Sequence, residues 1–201
     1  MDLFDYMREN ALRQEAPLAV RMRPQSLEEI AGQAHILGKD KLLYRAVKAD
    51  AVGSMILYGP PGCGKTTIAE VISRETRSDF CRLNATTAGK KEMEEVIQRA
   101  KENFGRGKRT TLFVDEIHRF HKGQQDFLLP YVEDGTIALI GATTENPFFE
   151  VNAALLSRSR IFELKPLAAA DIAALLRRAM ADKERGYGNW SAELTEEACA
   201  F

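Results

Sequence analysis

The sequence predicts an α/β fold: five parallel strands in one sheet, helices on both faces, and an all-helical segment after them. Three observations carry this. From residue 54 onward short apolar runs alternate with amphipathic helical stretches. The strands read as continuous apolar runs, as expected of strands covered on both faces. After Pro166 the strand pattern stops and only helical spacing remains.

The elements follow in order. Residues 2–15 form an amphipathic helix candidate with Phe4, Met7 and Ala11 on one face, interrupted by Pro17. Pro17 to Gly38 reads as an extended strap with one short helix, started by a capping box at Ser26-Leu27-Glu28-Glu29. Met55-Ile56-Leu57-Tyr58 is the first strand and stops at a glycine-proline turn. A helix from near Gly64 places Ile68, Val71 and Ile72 on one face. Asp79 to Asn84 is the second strand; Lys90 to Phe104 is a helix with Met93, Val96, Ile97, Ala100 and Phe104 at helical spacing. Thr110 to Val114 is a buried strand, Gln124 to Val132 a helix, Thr136 to Ala142 a fourth strand and Arg160 to Leu164 a fifth. Ile172, Leu175, Leu176 and Met180 then share a helix face, with Gly186 as its stop. Leu194, Ala198 and Phe201 begin another helix, which the chain leaves uncapped. The expected organisation is an N-terminal extension (1–16), a nucleotide-binding core (17–166) and a helical domain cut short (167–201).

Composition narrows the function classes. Of 201 residues, 28 are Lys or Arg and 29 are Asp or Glu, a net charge of −1. Coating of nucleic acid by bulk positive charge is therefore excluded, since that needs a large cationic excess. No apolar run approaches a membrane span, and the acidic start Met1-Asp2-Leu3-Phe4-Asp5 is unlike a signal peptide. Three scattered cysteines form neither a disulfide framework nor a zinc cluster, which points to a reducing, cytoplasmic compartment.

Gly59-Pro60-Pro61-Gly62-Cys63-Gly64-Lys65-Thr66 fits G-x-x-x-x-G-K-[ST] between a strand and a helix. Glycines let backbone amides ring a phosphate where a Cβ would block the approach. The following helix points its positive end at the same place. Lys65 adds a mobile charge for the β- and γ-phosphates, the Thr66 hydroxyl can ligate Mg²⁺, and Thr67 completes the nucleotide contacts. ATP or ADP with Mg²⁺ is the expected ligand.

The apolar strand Leu112-Phe113-Val114 ends in Asp115-Glu116. Asp115 is placed to hold Mg²⁺ through its water shell, and Glu116, projecting differently as the strand ends, to deprotonate the attacking water. A strand and helix intervene between the loop's helix and this acidic strand. With Glu directly after Asp, that is the arrangement of motor-type ATPases rather than of switch GTPases or nucleoside kinases. Leu139-Ile140-Gly141-Ala142-Thr143-Thr144 ends in two hydroxyls, of which Thr144, with Thr143 second, is the candidate sensor of the γ-phosphate. Arg158, in Ser157-Arg158-Ser159-Arg160, is the candidate arginine supplied to a neighbouring subunit. Asn84 either restrains Glu116 or closes a turn.

Together, Gly59–Thr66, Asp115-Glu116, Gly141–Thr144 and Ser157-Arg158 resemble the AAA+ ATPases of the clamp-loader and Holliday-junction-motor clade. Pro17–Pro24 with Ala31-Gly32-Gln33, Phe113–Phe120, Gln124-Gln125-Asp126, Gly141–Pro147 and Asp182–Gly188 resemble the replication-associated recombination protein A (RarA) family. The resemblance covers residues 17 to about 190. It implies a P-loop NTPase core of five parallel strands with a helical lid, ATP at their junction, Val20, Arg21 and Ile30 near the adenine, and Arg158 acting in trans. It also implies DNA-stimulated ATP hydrolysis at stalled forks and single-strand/double-strand junctions in the bacterial cytoplasm or nucleoid, in a homo-oligomer working with single-strand-binding protein and replisome components. The family's second sensor arginine would fall after Phe201, so weak turnover is expected of these residues alone. A Holliday-junction branch-migration motor and a clamp-loader subunit, including a non-hydrolysing switch subunit, are the alternatives.

Two basic clusters are candidate DNA contacts: Lys101, Arg106, Lys108 and Arg109; and His118-Arg119-Phe120-His121-Lys122, directly after the acidic pair. Cys63 reads as a small side chain inside the phosphate loop, and Cys81 and Cys199 as core.

Overall fold

The computed structural model describes residues 16–200, so the helix expected over 2–15 and residue Phe201 lie outside the described residues. In chain order the elements are α1 (Leu18–Arg21), a tight helical turn (Leu27–Glu29), α2 (Ala34–Leu37), α3 (Leu42–Lys48), β1 (Met55–Tyr58), α4 (Lys65–Glu75), β2 (Asp79–Asn84), α5 (Lys90–Gly105) and β3 (Thr110–Asp115). A second tight turn (Ile117–Arg119) follows, then α6 (Lys122–Glu133), β4 (Ala138–Thr143), α7 (Pro147–Glu150), α8 (Ala153–Ser157), β5 (Arg160–Glu163), α9 (Ala169–Ala181) and α10 (Glu196–Ala200). Residues 33–166 form one compact unit; of the other described residues, those from 16 to 32 and from 167 to 200 form the second.

The larger unit is a five-stranded sheet in the order β2-β3-β4-β1-β5, every neighbouring pair parallel. All loops that leave the strands' C-terminal ends therefore emerge at one edge, where ligands bind in such sheets. In space the strand lying between β1 and the acidic strand β3 is β4, while β2 forms the sheet's edge. Ile56, Leu57, Leu112, Phe113, Val114, Leu139 and Ile140 are fully buried, matching their continuous apolar runs. Ile68, Val71 and Ile72 of α4 and Met93, Ile97 and Ala100 of α5 supply the helical faces of the core.

The strap differs from expectation. Ser26 makes no side-chain cap to the turn at Leu27–Glu29. The Glu29 carboxylate instead accepts from the Gln25 amide (3.1 Å) and from both terminal nitrogens of Arg185 (3.0 and 3.2 Å). Charge-assisted bonds are stronger than neutral ones, so the guanidinium takes the carboxylate. Within the same unit Arg178 donates to the carbonyls of Glu29 (2.7 Å) and Met22 (3.0 Å), and the Arg21 guanidinium lies 5.7 Å from the Tyr187 ring centre.

Helix α9 ends at Ala181, earlier than Gly186. Asp182 terminates it by accepting from the amides of Glu184 (2.9 Å) and Arg185 (2.8 Å). Gly186 has another role: a Cβ there would stand 1.9 Å from the Ala179 carbonyl oxygen, so only glycine lets the chain fold back on the helix end. Ala179 is the buried residue of this helix, while Ile172 stays exposed. Cys81 is buried as expected, whereas Cys199 is only half-buried.

Candidate active site

Three segments leave the C-terminal edge of adjacent strands and build the site: the loop after β1, the acidic turn after β3 and the tip of β4. The loop after β1 turns on Gly59, Gly62 and Gly64, with φ of 152°, 76° and 98°, values that side-chain-bearing residues rarely adopt. Gly59 also packs where a Cβ would be 2.3 Å from the Leu164 carbonyl oxygen. Pro60, Pro61 and Cys63 fill the loop, Cys63 being buried. Gly64 caps α4, whose first residues are Lys65, Thr66 and Thr67. The Lys65 side chain folds across the loop and donates to the carbonyls of Gly59 (2.7 Å) and Pro60 (2.9 Å).

Gln33 braces this loop, a contact that residue type and spacing do not announce. It is buried, and its amide nitrogen donates to the carbonyls of Cys63 (3.3 Å) and Lys165 (2.7 Å) while its oxygen accepts from the Lys165 amide (3.0 Å). One side chain thus ties the phosphate loop to the segment that follows β5. A glutamine in a left-handed conformation (φ 57°) has no simple sequence signature.

At the end of β3, Asp115 pairs through one oxygen with Arg82 of β2 at 2.9 Å, and Arg82 lies over the Phe113 ring. The next residue, Glu116, is left-handed (φ 54°), a conformation a non-glycine residue adopts rarely and at some cost. This breaks the strand alternation and separates its direction from that of Asp115. Asn84 accepts from the Thr86 amide (2.9 Å) and hydroxyl (2.6 Å), the turn-closing arrangement. Among the described residues no group of three or more His, Cys, Asp or Glu is arranged to hold a metal. A hydroxyl at Thr66 and a carboxylate at Asp115 nevertheless suit Mg²⁺, which keeps most of its waters and leans on phosphate oxygens.

Thr143, at the end of β4, is fully buried, with its hydroxyl 2.9 Å from His118 Nδ1 and accepting from the Glu145 amide (3.0 Å). Thr144 is next, half-buried at the tip. Arg158 lies at the opposite edge. Met55 of β1 is in register with Arg160, and Tyr58, just before the loop, with Glu163. At about 3.3 Å per residue the start of β5 is therefore roughly 13 Å from the phosphate loop along the strand direction, and beyond that start lies Arg158. It pairs with Glu133 at 2.6 Å and donates to the Ala154 carbonyl. Val20, Arg21 and Ile30 belong to the other compact unit, with Val20 exposed.

The basic clusters separate. Lys108 pairs with Asp79, Arg109 with Asp50, and the Lys101 ammonium sits 4.9 Å from the Tyr131 ring centre. In the second cluster Phe120 is buried, so it cannot stack on a base; Arg119 and Lys122 are exposed, and His121 caps α6.

This arrangement of phosphate loop, acidic turn and polar strand tip on a parallel sheet is that of a nucleotide hydrolase. The pattern of the family described as "ATPase family associated with various cellular activities (AAA)" matches residues 55–167, and the chain belongs to that family. Within it, the chain is similar to proteins named Replication-associated recombination protein A. It is 56% identical over 181 residues to that of Escherichia coli (strain K12), covering 90% of this chain and 40% of the relative. It is 50% identical over 182 residues to that of Bacillus subtilis (strain 168), covering 90% and 42%. The chain thus spans about two fifths of the length of these curated relatives. Among solved structures it resembles the RuvB Holliday junction branch migration motor of Thermotoga maritima, with TM-score 0.63 and 28% identity over 80% of this chain and 54% of that one.

Proposed function

We propose that this chain is the ATP-binding and ATP-hydrolysing module of a DNA-dependent factor acting at stalled replication forks and in recombination. The observation that carries this is the convergence of the Gly59–Thr66 loop, Asp115-Glu116 and the β4 tip at one sheet edge, in a chain so similar to the replication-associated recombination proteins. The backbone from Gly59 to Thr67 cradles the phosphates, and Lys65 turns from the loop carbonyls to the β- and γ-phosphates. Thr66 and Asp115 would hold Mg²⁺, which supplies charge neutralisation on the phosphate oxygens when bound. Glu116 takes a proton from water as its oxygen attacks the γ-phosphorus. The bond from that phosphorus to the β–γ bridging oxygen breaks, and ADP and phosphate leave. Thr144 hydrogen-bonds the γ-phosphate or the water. Val20, Arg21 and Ile30 contact the adenine, and residues 167–201 belong to a helical lid.

Arg158 serves a neighbouring copy's site, because the sheet holds it at the edge opposite its own phosphate loop. The working form is therefore a homo-oligomer. Arg119 and Lys122, exposed directly after the acidic turn, are the DNA contacts best placed to influence Glu116. No described helix is long and apolar enough to cross a membrane; a cytoplasmic or nucleoid location accords with the bacterial relatives' part in replication. The structural likeness to RuvB favours branch migration as a second reading, though the sequence is twice as similar to the recombination proteins.

The test is steady-state ATP hydrolysis by the full-length protein, with and without forked DNA, for wild type and Glu116→Gln. Forked DNA should raise the wild-type rate. Glu116→Gln should bind nucleotide normally and lose at least about 100-fold in kcat, the scale of general-base catalysis. Hydrolysis that survives in Glu116→Gln contradicts the proposal.

A further inference from the structure

His118 lies in the exposed-looking run His118-Arg119-Phe120-His121-Lys122, yet its side chain is only 7% exposed. One ring nitrogen, Nδ1, stands 2.9 Å from the Thr143 hydroxyl and 3.4 Å from a Glu116 carboxylate oxygen. A carboxylate can only accept. The Thr143 oxygen already accepts from the Glu145 amide and has the Glu145 carbonyl at 3.4 Å to take its own proton. With its proton on Nδ1, the tautomer these neighbours favour, His118 donates to the Thr143 hydroxyl and holds the same nitrogen within ion-pair range of the Glu116 carboxylate.

The backbone around His118 is seated firmly. The Arg119 amide donates to the Glu116 carbonyl at 2.7 Å and the Phe120 amide to the Ile117 carbonyl at 3.1 Å. Ile117 is fully buried against Gly141 of β4, where an added Cβ would come within 2.9 Å of its Cδ1. The turn carrying His118 is thereby pressed onto the same strand whose tip carries Thr143 and Thr144.

We propose that His118 is a positioning residue for hydrolysis: through Nδ1 it fixes the Glu116 carboxylate relative to the β4 tip. A displacement of that tip by phosphate at Thr144 then reaches Glu116 as a change of carboxylate angle. The proposal rests on the ATPase reading above.

The test uses the full-length protein and measures kcat, KM for ATP, affinity for a fluorescent ADP analogue and thermal unfolding. His118→Phe removes the nitrogen at similar volume. His118→Asn places an amide N–H at the position of Nδ1, and His118→Gln places it one bond further out. His118→Phe should lower kcat by at least about tenfold while KM and ADP affinity stay within about twofold, the signature of an interaction used in the chemical step. His118→Asn should restore most of the rate and His118→Gln should not. Thr143→Val should resemble His118→Phe, and the double variant should be no slower than the slower single variant. An unchanged kcat in His118→Phe, equal loss in the Asn and Phe variants, or additive losses would overturn the proposal. If His118→Phe does not fold, the Asn-against-Gln comparison decides, equal rates counting against the proposal. A wild type that hydrolyses no ATP defeats the ATPase reading itself. A hydrolysing wild type with an indifferent His118 defeats only this inference.

Discussion

At the residue scale the phosphate loop depends on two close fits. Gly59 combines a left-sided φ of 152° with a backbone carbonyl 2.3 Å from any added Cβ, and neither can yield as a flexible side chain would. Gly59→Ala should therefore destabilise the fold by about 2–3 kcal/mol through strain and overpacking, read from urea denaturation, and weaken nucleotide binding. Gln33→Leu would leave the Cys63 and Lys165 carbonyls and the Lys165 amide without their shared partner. A loss of about 2 kcal/mol is expected from such unsatisfied groups, with ADP affinity falling as the loop loosens; an unaffected affinity would mean that Gln33 supports the fold alone. Lys65, Asp115 and Glu116 are candidates by residue type and spacing alone, and the fold brings the segments that carry them to one end of the sheet. The contacts of Gln33, Arg82 and His118 have no such signature, because each is made by the tertiary fold. His118 in particular sits in a charged run of sequence, whereas its side chain is buried beside Glu116 and Thr143.

At the element scale, β2 is anchored by Asp79. Its carboxylate accepts from Arg99 (2.6 and 2.7 Å) and Asn103 (2.9 Å), with Lys108 at 3.6 Å, and the Arg99 bond foremost holds its pKa below the ordinary 3.8. A depressed carboxylate stabilises the fold above its unfolded pKa and loses that contribution as pH falls through the folded value. Asp79→Asn should thus cost about 1–2 kcal/mol at pH 7, as expected for charge-assisted bonds, and the two proteins should converge in urea stability as pH drops below 3.8. A gap that persists at low pH would show that packing rather than charge anchors the strand. The strands β1 and β2 begin and end where the sequence places them, since apolar runs bounded by turn residues are unambiguous. Strand β4 starts two residues late because the Thr136 amide bonds to Asp134 in a turn around Gly135. Helix α3 has a weak sequence signature because only Leu43 and Val47 mark its buried face, too short a periodicity to define a helix.

At the scale of the whole molecule, the parallel sheet places the two groups of candidate residues at opposite edges. The candidate nucleotide residues gather at the C-terminal ends of β1, β3 and β4, while Arg158 precedes β5 at the other edge. With a net charge of −1, the proposed DNA contact rests on a few exposed cations repeated around the proposed oligomer, not on overall attraction. Arg119→Glu with Lys122→Glu should abolish stimulation of hydrolysis by forked DNA and leave the DNA-free rate within about twofold, since phosphate contacts position rather than react. Loss of the DNA-free rate instead would place these residues in the nucleotide site.

The shared-site arrangement is tested most directly by mixing two inactive full-length variants. Arg158→Ala subunits keep Glu116 but lack the arginine; Glu116→Gln subunits keep the arginine but lack the base. If each site is completed by its neighbour, an equimolar mixture assembled at random restores about a quarter of the wild-type sites, and ATP hydrolysis should rise well above that of either variant alone. A mixture no more active than its two components would contradict the account.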